Sequence, residues 1–437
     1  MRYQKQLEVR HSPDVLIVGG GPAGCAAAWA AAKGGANVLL MEGGSCLGGL
    51  GTLGLVPAFM QFDDGVTFLA AGFGSLVLER LKDMGAARGT PQLAYEIKAE
   101  HLKRVYEDML AEVGVKFVLH SQLIDVVMDG GRIDAAVFAA KSGVFAVQAK
   151  VYVDGTGDGD LCAWAGAPFE KGDENGDMMA GTLCQLWANI DWTREGVFKQ
   201  SRPLQQAIDD GVFAVIDKHL PGIWRISNGG VGGGNIGHAY GVDATDEESL
   251  TRALVYSRKL IDQYHRYYSD YVPGFESMEL VATGSIMGIR ESRRIMGEEK
   301  MTVDHYLARA NFPNEIGRYA YPIDAHAARP TQEAYENFHR DHTGPAYKYQ
   351  NGENYGIPYG ILLPKGIDNV LVAGRCVSTD RKMQSSIRVM PGCYIMGQAA
   401  GAAAAMAAAK ASGPKDVSIA KLQANLAALG AYVPNRA

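Results

Sequence analysis

Residues 14–24 read Asp14-Val-Leu-Ile-Val-Gly19-Gly-Gly21-Pro-Ala-Gly24. An apolar run closing on glycines at this spacing makes a buried strand, a tight turn and a helix start. Such a unit holds a dinucleotide pyrophosphate. Gly19 permits the turn, Gly21 lets backbone approach the phosphates, and Gly24 lets helix and strand pack closely. Pro22 and Ala23 open the helix, whose free N–H groups and positive dipole end face the pyrophosphate. The spacing alone also occurs in ordinary turns, so the context carries the weight. An alanine-rich helix over 23–33 is stopped by Gly34-Gly35. A second strand over 37–41 ends on Glu42, whose carboxylate is placed to accept hydrogen bonds from an adenosine ribose.

The chain has 437 residues, enough for two or three domains and a large core. A net charge of −6 argues against a nucleic-acid partner. No apolar span is long enough to cross a bilayer; residues 397–410 are mostly alanine and read as a buried helix. The first ten residues carry no apolar signal core, so a cytoplasmic location is expected. The cysteines at 25, 46, 162, 184, 376 and 393 have no C-x-x-C spacing, which fits buried reduced thiols.

Further along, a helix is expected over 74–84. Thr90 can cap the next one, Pro91 suits its first position, and Gly114 ends it. Leu93, Ile97, Leu102, Val105 and Met109 would form its apolar stripe. Strand-like runs over 115–120, 124–128, 133–139 and 144–153 look like an antiparallel meander returning to the main sheet. From 165 to 273 aromatic residues are frequent and the strand–helix alternation fades. Gly232, Gly234 and Gly237 repeat the glycine spacing, but no clean apolar strand precedes them, and a second nucleotide site is not expected. Thr245 and Glu248 make a capping box for a long helix to about 270. The last third alternates again. A strand over 369–373 meets Gly374, and Pro391 opens a helix of small residues.

Four stretches together resemble a known group. They are Val18-Gly-Gly-Gly-Pro-Ala-Gly24 with Glu42 and Leu47-Gly48-Gly49; Asp154-Gly-Thr-Gly157-Asp158-Gly-Asp160; Gly288-Ile-Arg290-Glu-Ser-Arg293-Arg294-Ile-Met-Gly297; and Asn369-Val-Leu-Val-Ala-Gly374-Arg375 running on to Arg388-Val-Met-Pro391-Gly392. The chain resembles the bacterial FAD-dependent oxidoreductases of the glutathione-reductase-like flavoprotein superfamily, distantly similar to fumarate reductase flavoproteins. The resemblance implies an α/β fold: a Rossmann-like FAD-binding domain with a parallel sheet and an inserted β-meander, plus a discontinuous α+β substrate domain. The expected division is 1–165 and 276–437 for FAD and 166–275 for substrate, with some segments of about 300–350 as an alternative part of the latter.

It implies FAD lying across that first domain. Gly48 and Gly49 would approach the ribitol and flavin, and Leu123 would meet adenine through its main chain. Gly157, Asp158 and Gly374 would line the path. The helix opened by Pro391 and Gly392 would aim its positive end at the flavin N1/C2 carbonyl. Arg375 stands where the superfamily has an acidic residue, so Asp380 or a main-chain group would serve the ribitol. The acidic pair Asp158 and Asp160 could suggest a metal, but the resemblance places that turn beside FAD and no metal is expected.

Arg388 could bind a flavin carbonyl, a substrate anion or a surface carboxylate. Arg290, Arg293 and Arg294 would share a face if their segment is helical, to hold pyrophosphate or an anionic substrate; the alternative is a solvated face paired with nearby glutamates. His238 and His326 are candidate general bases, against a structural role for each. The leading reading is an FAD-dependent oxidoreductase moving a hydride between a small polar substrate and flavin N5. It has no NAD(P)H domain, an unidentified electron acceptor or donor, and a homodimer only as a superfamily expectation. The alternatives are a flavin monooxygenase or halogenase and a non-catalytic electron-transfer subunit.

Overall fold

The computed structural model describes residues 4, 6–220, 222–334, 336 and 344–435. Its centre is a five-stranded sheet in the order Val370–Val372, Val151–Asp154, Val15–Val18, Val38–Met41 and Lys116–Val118, all parallel. Every residue of Val15–Val18, Val38–Met41 and Val151–Asp154 is buried. A parallel sheet buried on both faces has strands that read as unbroken apolar runs rather than alternating ones.

The meander is built differently from the sequence expectation. The run over 115–120 is the parallel edge strand of the main sheet, and the run over 144–153 is two strands. Gly143–Val147 stays in an antiparallel sheet with Arg132–Ala140 and Gln122–Asp129, while Val151–Asp154 enters the parallel sheet. Val9–His11 pairs parallel to Gly143–Val147 at the other edge.

Two alanine-rich helices meet almost without side chains between them. Pro22–Lys33 lies against Met390–Lys410, and both are nearly wholly buried. A Cβ on Gly397 would stand 2.2 Å from the Ala23 carbonyl oxygen, and one on Gly401 would stand 2.0 Å from that of Ala27. Glycine is required here because two backbones touch.

The helix expected from Thr90 does not start there. Ala87–Thr90 and Ala94–Ile97 form an antiparallel hairpin, and the helix begins later, at Ala99–Glu112. Pro91 fits position i+1 of a turn as well as a helix start, and pairing of Ala94–Ile97 with Ala58–Met60 decides between them. Leu93, assigned to the apolar stripe, is 76% exposed at the turn. The other expected helix appears as Phe73–Asp83.

A second buried cluster, rich in Trp187, Trp192, Tyr264, Tyr267, Tyr268 and Phe275, packs under an antiparallel sheet. Its strand order is Ile223–Arg225, Gly232–Gly234, Gln185–Ala188 and Glu279–Thr283. The glycine strand is thin because neighbours crowd it: added Cβ atoms would strike Ile223, Pro57 and Gln185. The long helix is Glu247–Tyr271, capped by Asp246, which accepts from the Ser249 N–H; Thr245 bonds Asp243 instead. Arg290, Arg293 and Arg294 share no helical face. Arg293–Ile295 is a strand paired with Phe169–Lys171, so the three side chains diverge. Among the described residues no helix is long and apolar enough to cross a membrane.

Gly401→Val should therefore destabilise the fold by about 3 kcal/mol or more, because the clash is with backbone. Urea unfolding would read it as a lowered midpoint; an unchanged midpoint would contradict the backbone contact.

Candidate cofactor site and its polar flank

A cavity of about 580 Å³ opens at the carboxyl ends of the parallel strands. Gly19, Gly21, Pro22, Ala23, Glu42, Gly49, Leu123, Gly157, Asp158, Gly374, Arg375 and Arg388 all line it. The remaining expected residues do not. Gly24 lies behind the turn, where a Cβ would stand 1.9 Å from the Gly19 oxygen. The Gly48 N–H donates to the Gly20 carbonyl at 2.7 Å. Pro391 and Gly392 turn away from the cavity, and a Cβ on Gly392 would strike the Ile387 oxygen. From that helix end Met390 and Cys393 reach the cavity instead.

The cradle fits a dinucleotide on its own geometry. Gly19 has φ +92°, and its Cβ would strike Gly155 backbone. A Cβ on Gly21 would find open space, meeting only the Gly155 oxygen at 3.9 Å. That open space is the cavity above the helix N-terminus, where a phosphate can meet N–H groups. Glu42 is fixed at its rim: its two oxygens accept from the Gly20 N–H at 2.6 Å and the Gly44 N–H at 2.5 Å. A carboxylate has about four acceptor sites, so room remains for a ribose hydroxyl.

Of the residues expected near the ribitol, Arg375 lines the cavity and Asp380 does not. Arg375 is consumed by protein partners: it donates to Asp158 at 2.5 Å and to the carbonyls of Gly157 and Ile289 at 3.0 and 2.6 Å. Asp380 caps the helix Arg381–Ile387, accepting from the Met383 and Val303 N–H groups, and does not line the cavity.

The sequence missed the apolar roof. Ala244, Leu250, Leu254 and residues 285–287 and 289 close the cavity from the aromatic-rich part of the chain. The signal was Leu250 and Leu254 one helical turn apart near the start of the long helix.

Beside the cavity lies a buried polar group. Arg388 Nη2 donates to the Asp324 carbonyl at 3.0 Å and its carboxylate at 3.2 Å, while Arg388 Nε is buried and has no hydrogen-bond partner among the described residues. The Asp324 carboxylate is 3.4 Å from His326 Nε2. His326 Nδ1 faces His238 Nε2 at 3.1 Å, and His238 Nδ1 faces Asp217 at 2.9 Å. Neither histidine lines the cofactor cavity; His326 borders a separate open cleft of about 1000 Å³. Both were read as bases at the reacting centre, and both stand behind Arg388 instead.

His219 completes the group and had no sequence signal. Burial lowers the pKa of all three rings, taking His219 to about 4, so they are neutral at pH 7. Arg290 is buried there too, donating to the Ala180 carbonyl and Thr182 at 2.8 Å each. Burial and then Arg388 lower it to about 10, so it stays charged.

Asp160 is pushed up to about 6 by burial and then by Asp158 and Asp154, against the pull of Arg293. The folded pKa lies above the unfolded one. The folded state therefore binds the extra proton, and stability falls as pH rises from about 4 through 6. Asp160→Asn keeps an acceptor for Arg293 and should raise the melting temperature at pH 8 while leaving it unchanged at pH 4. Equal shifts at both pH values would contradict the strained ionisation.

Comparison with known proteins agrees with this geometry. The family described as FAD dependent oxidoreductase matches residues 14–426. Digeranylgeranylglycerophospholipid reductases 1 and 2 of Methanopyrus kandleri are 28% and 27% identical over 158 and 155 residues. Those alignments cover 33% of this chain in each case and 39% and 37% of the relatives, so the chain matches less than half of their length. A geranylgeranyl bacteriochlorophyll reductase-like protein from Thermoplasma acidophilum shares 12% identity at a TM-score of 0.47, covering 96% of this chain and 83% of that one. A flavin-dependent brominase shares 13% at 0.48, covering 96% and 82%. With its family profile spanning nearly the whole length, the chain belongs to the FAD-dependent oxidoreductases, binds FAD and is an enzyme of that type.

Proposed function

We propose that this enzyme moves a hydride between a small polar substrate and flavin N5, with Arg388 gripping a substrate oxygen. One observation supports this above the others. Arg388 lines the cavity with its side chain 10% exposed, and Asp324 holds one end of the guanidinium. A mostly buried, always-charged donor at the cavity wall suits a carbonyl or carboxylate oxygen.

The supporting residues divide the work. Gly19, Gly21 and the start of the helix Pro22–Lys33 take the diphosphate, and Glu42 takes the ribose. The helix Met390–Lys410 turns its positive end toward the cavity. When bound, FAD supplies a two-electron acceptor or donor. Leu250, Leu254, Met287 and Ile289 exclude water from the reacting edge, which strengthens the Arg388 contact. In this reading 166–275 is the substrate domain, and the roof extends past it to 289. Asp324 positions Arg388. Arg290, His238 and His326 lie behind it and do not line the cavity.

The electron partner comes from outside the chain, as a second small molecule, a quinone, oxygen or a protein. Anaerobic holoprotein mixed with a panel of hydroxy acids, sugars and amines should lose its yellow colour with at least one class. Arg388→Ala should lower kcat/KM for that substrate about 100-fold while FAD content stays unchanged. A panel in which nothing bleaches the flavin, or an Arg388→Ala enzyme of unchanged kcat/KM, would contradict the reading.

A further inference from the structure

His219, His238 and His326 come from three separate loops and converge in the interior. One ring nitrogen from each lies within 4.8 Å of the others. The nearest pair, His238 Nε2 and His326 Nδ1, is 3.1 Å apart. The ring centroids are separated by 5.2, 4.8 and 5.2 Å. Three imidazoles on one tetrahedral zinc, each about 2.0–2.1 Å from the metal, place their nitrogens about 3.4 Å and their centroids about 5 Å apart. The ring centroids have that spacing, and the His238–His326 nitrogen pair stands close to it, with all three nitrogens within 4.8 Å.

His238 Nδ1 sits 2.9 Å from the Asp217 carboxylate, and a proton held there leaves Nε2 as a lone pair. Tyr240 Oη stands farther from that nitrogen, at 3.5 Å. If His326 Nδ1 donates to that lone pair, His326 Nε2 is left bare against the Asp324 carboxylate at 3.4 Å. If His326 Nε2 carries the proton instead, two lone pairs meet at 3.1 Å. Two neutral rings cannot satisfy both contacts. A cation between them satisfies both, and with a third ring in reach the arrangement suits a metal better than a shared proton.

We propose that His219, His238 and His326 bind a divalent first-row transition metal of the zinc class, with Asp217 and Asp324 orienting two of the rings. The remote nitrogen of a ligating histidine usually donates to a carboxylate, and two of these three rings have one in place. An all-imidazole donor set selects zinc, iron, nickel or copper over magnesium and calcium. The two carboxylates offset the buried charge of Arg290. The acidic turn at Asp158 and Asp160, for which no metal was expected, lies elsewhere. Through His326 and Asp324 the cation would fix Arg388 at the cavity, a positioning role rather than a contact with the cofactor.

Metal content of tag-free wild-type holoprotein, by inductively coupled plasma mass spectrometry, is expected at about one zinc-class ion per chain. Flavin is read separately from its colour, so a chain with metal and no FAD supports this site while sinking the flavin chemistry. Metal-stripped wild-type protein titrated with Co(II) should develop the intense bands of a tetrahedral or five-coordinate centre. Asp217→Asn should weaken that uptake about 10–100-fold without loss of flavin, and His238→Gln should abolish it. A wild-type protein that retains no metal and gives only the weak spectrum of hydrated Co(II) would overturn the proposal. So would undiminished Co(II) affinity in a folded His238→Gln. If that variant does not fold, the wild-type cobalt spectrum decides alone.

Discussion

Backbone-to-backbone contact at glycine is the constraint on which the rest of this structure depends. The helix Pro22–Lys33 rests on the sheet at Gly24, beside the Gly19 carbonyl and Gly155. Its other side meets the helix Met390–Lys410 at Gly397 and Gly401. Side chains at these points would lift the helix from the sheet and move its N-terminus from the cavity. The alanines on both helices follow from the same need, since a close helix pair leaves space only for methyl groups. The cofactor-facing surface is thus a by-product of packing, held by contacts that cannot relax by a rotamer change.

Charge is distributed around this frame in two regimes. The cavity takes its polarity from backbone and from Glu42, a carboxylate whose own position is fixed by two N–H groups. The polar flank takes its polarity from buried side chains: Arg388, Asp324, Arg290 and the three histidines. Arg375 lines the cavity but spends its donors on protein partners. It ties the Asp158 turn to the segment at Ile289 and so joins the nucleotide-binding part to the roof.

The parts legible in the sequence are those in which neighbours in the chain are neighbours in space. Gly19, Gly24 and Glu42 lie within one strand–helix–strand unit, so their spacing alone implied their geometry. The hairpin at Thr90 was not legible, because Pro91 suits a turn and a helix start equally and the pairing partner, Ala58–Met60, is remote. The arginine trio failed for a related reason: spacing suggested a helical face, but pairing with Phe169–Lys171 pulled the segment into a strand. His238 and His326 could be picked out as titratable residues, yet nothing local joined them to His219 or Asp217. Only the fold assembles that group, and it does so outside the cavity where a base was expected.

The central claim is that the amino-terminal crossover holds FAD in the cavity between the sheet and the roof. Flavin stoichiometry of the purified, folded chain tests it most directly: released FAD is quantified against protein, with and without prior addition of FAD. One FAD per chain is expected after addition. A chain with native circular dichroism that remains colourless in excess FAD would contradict it.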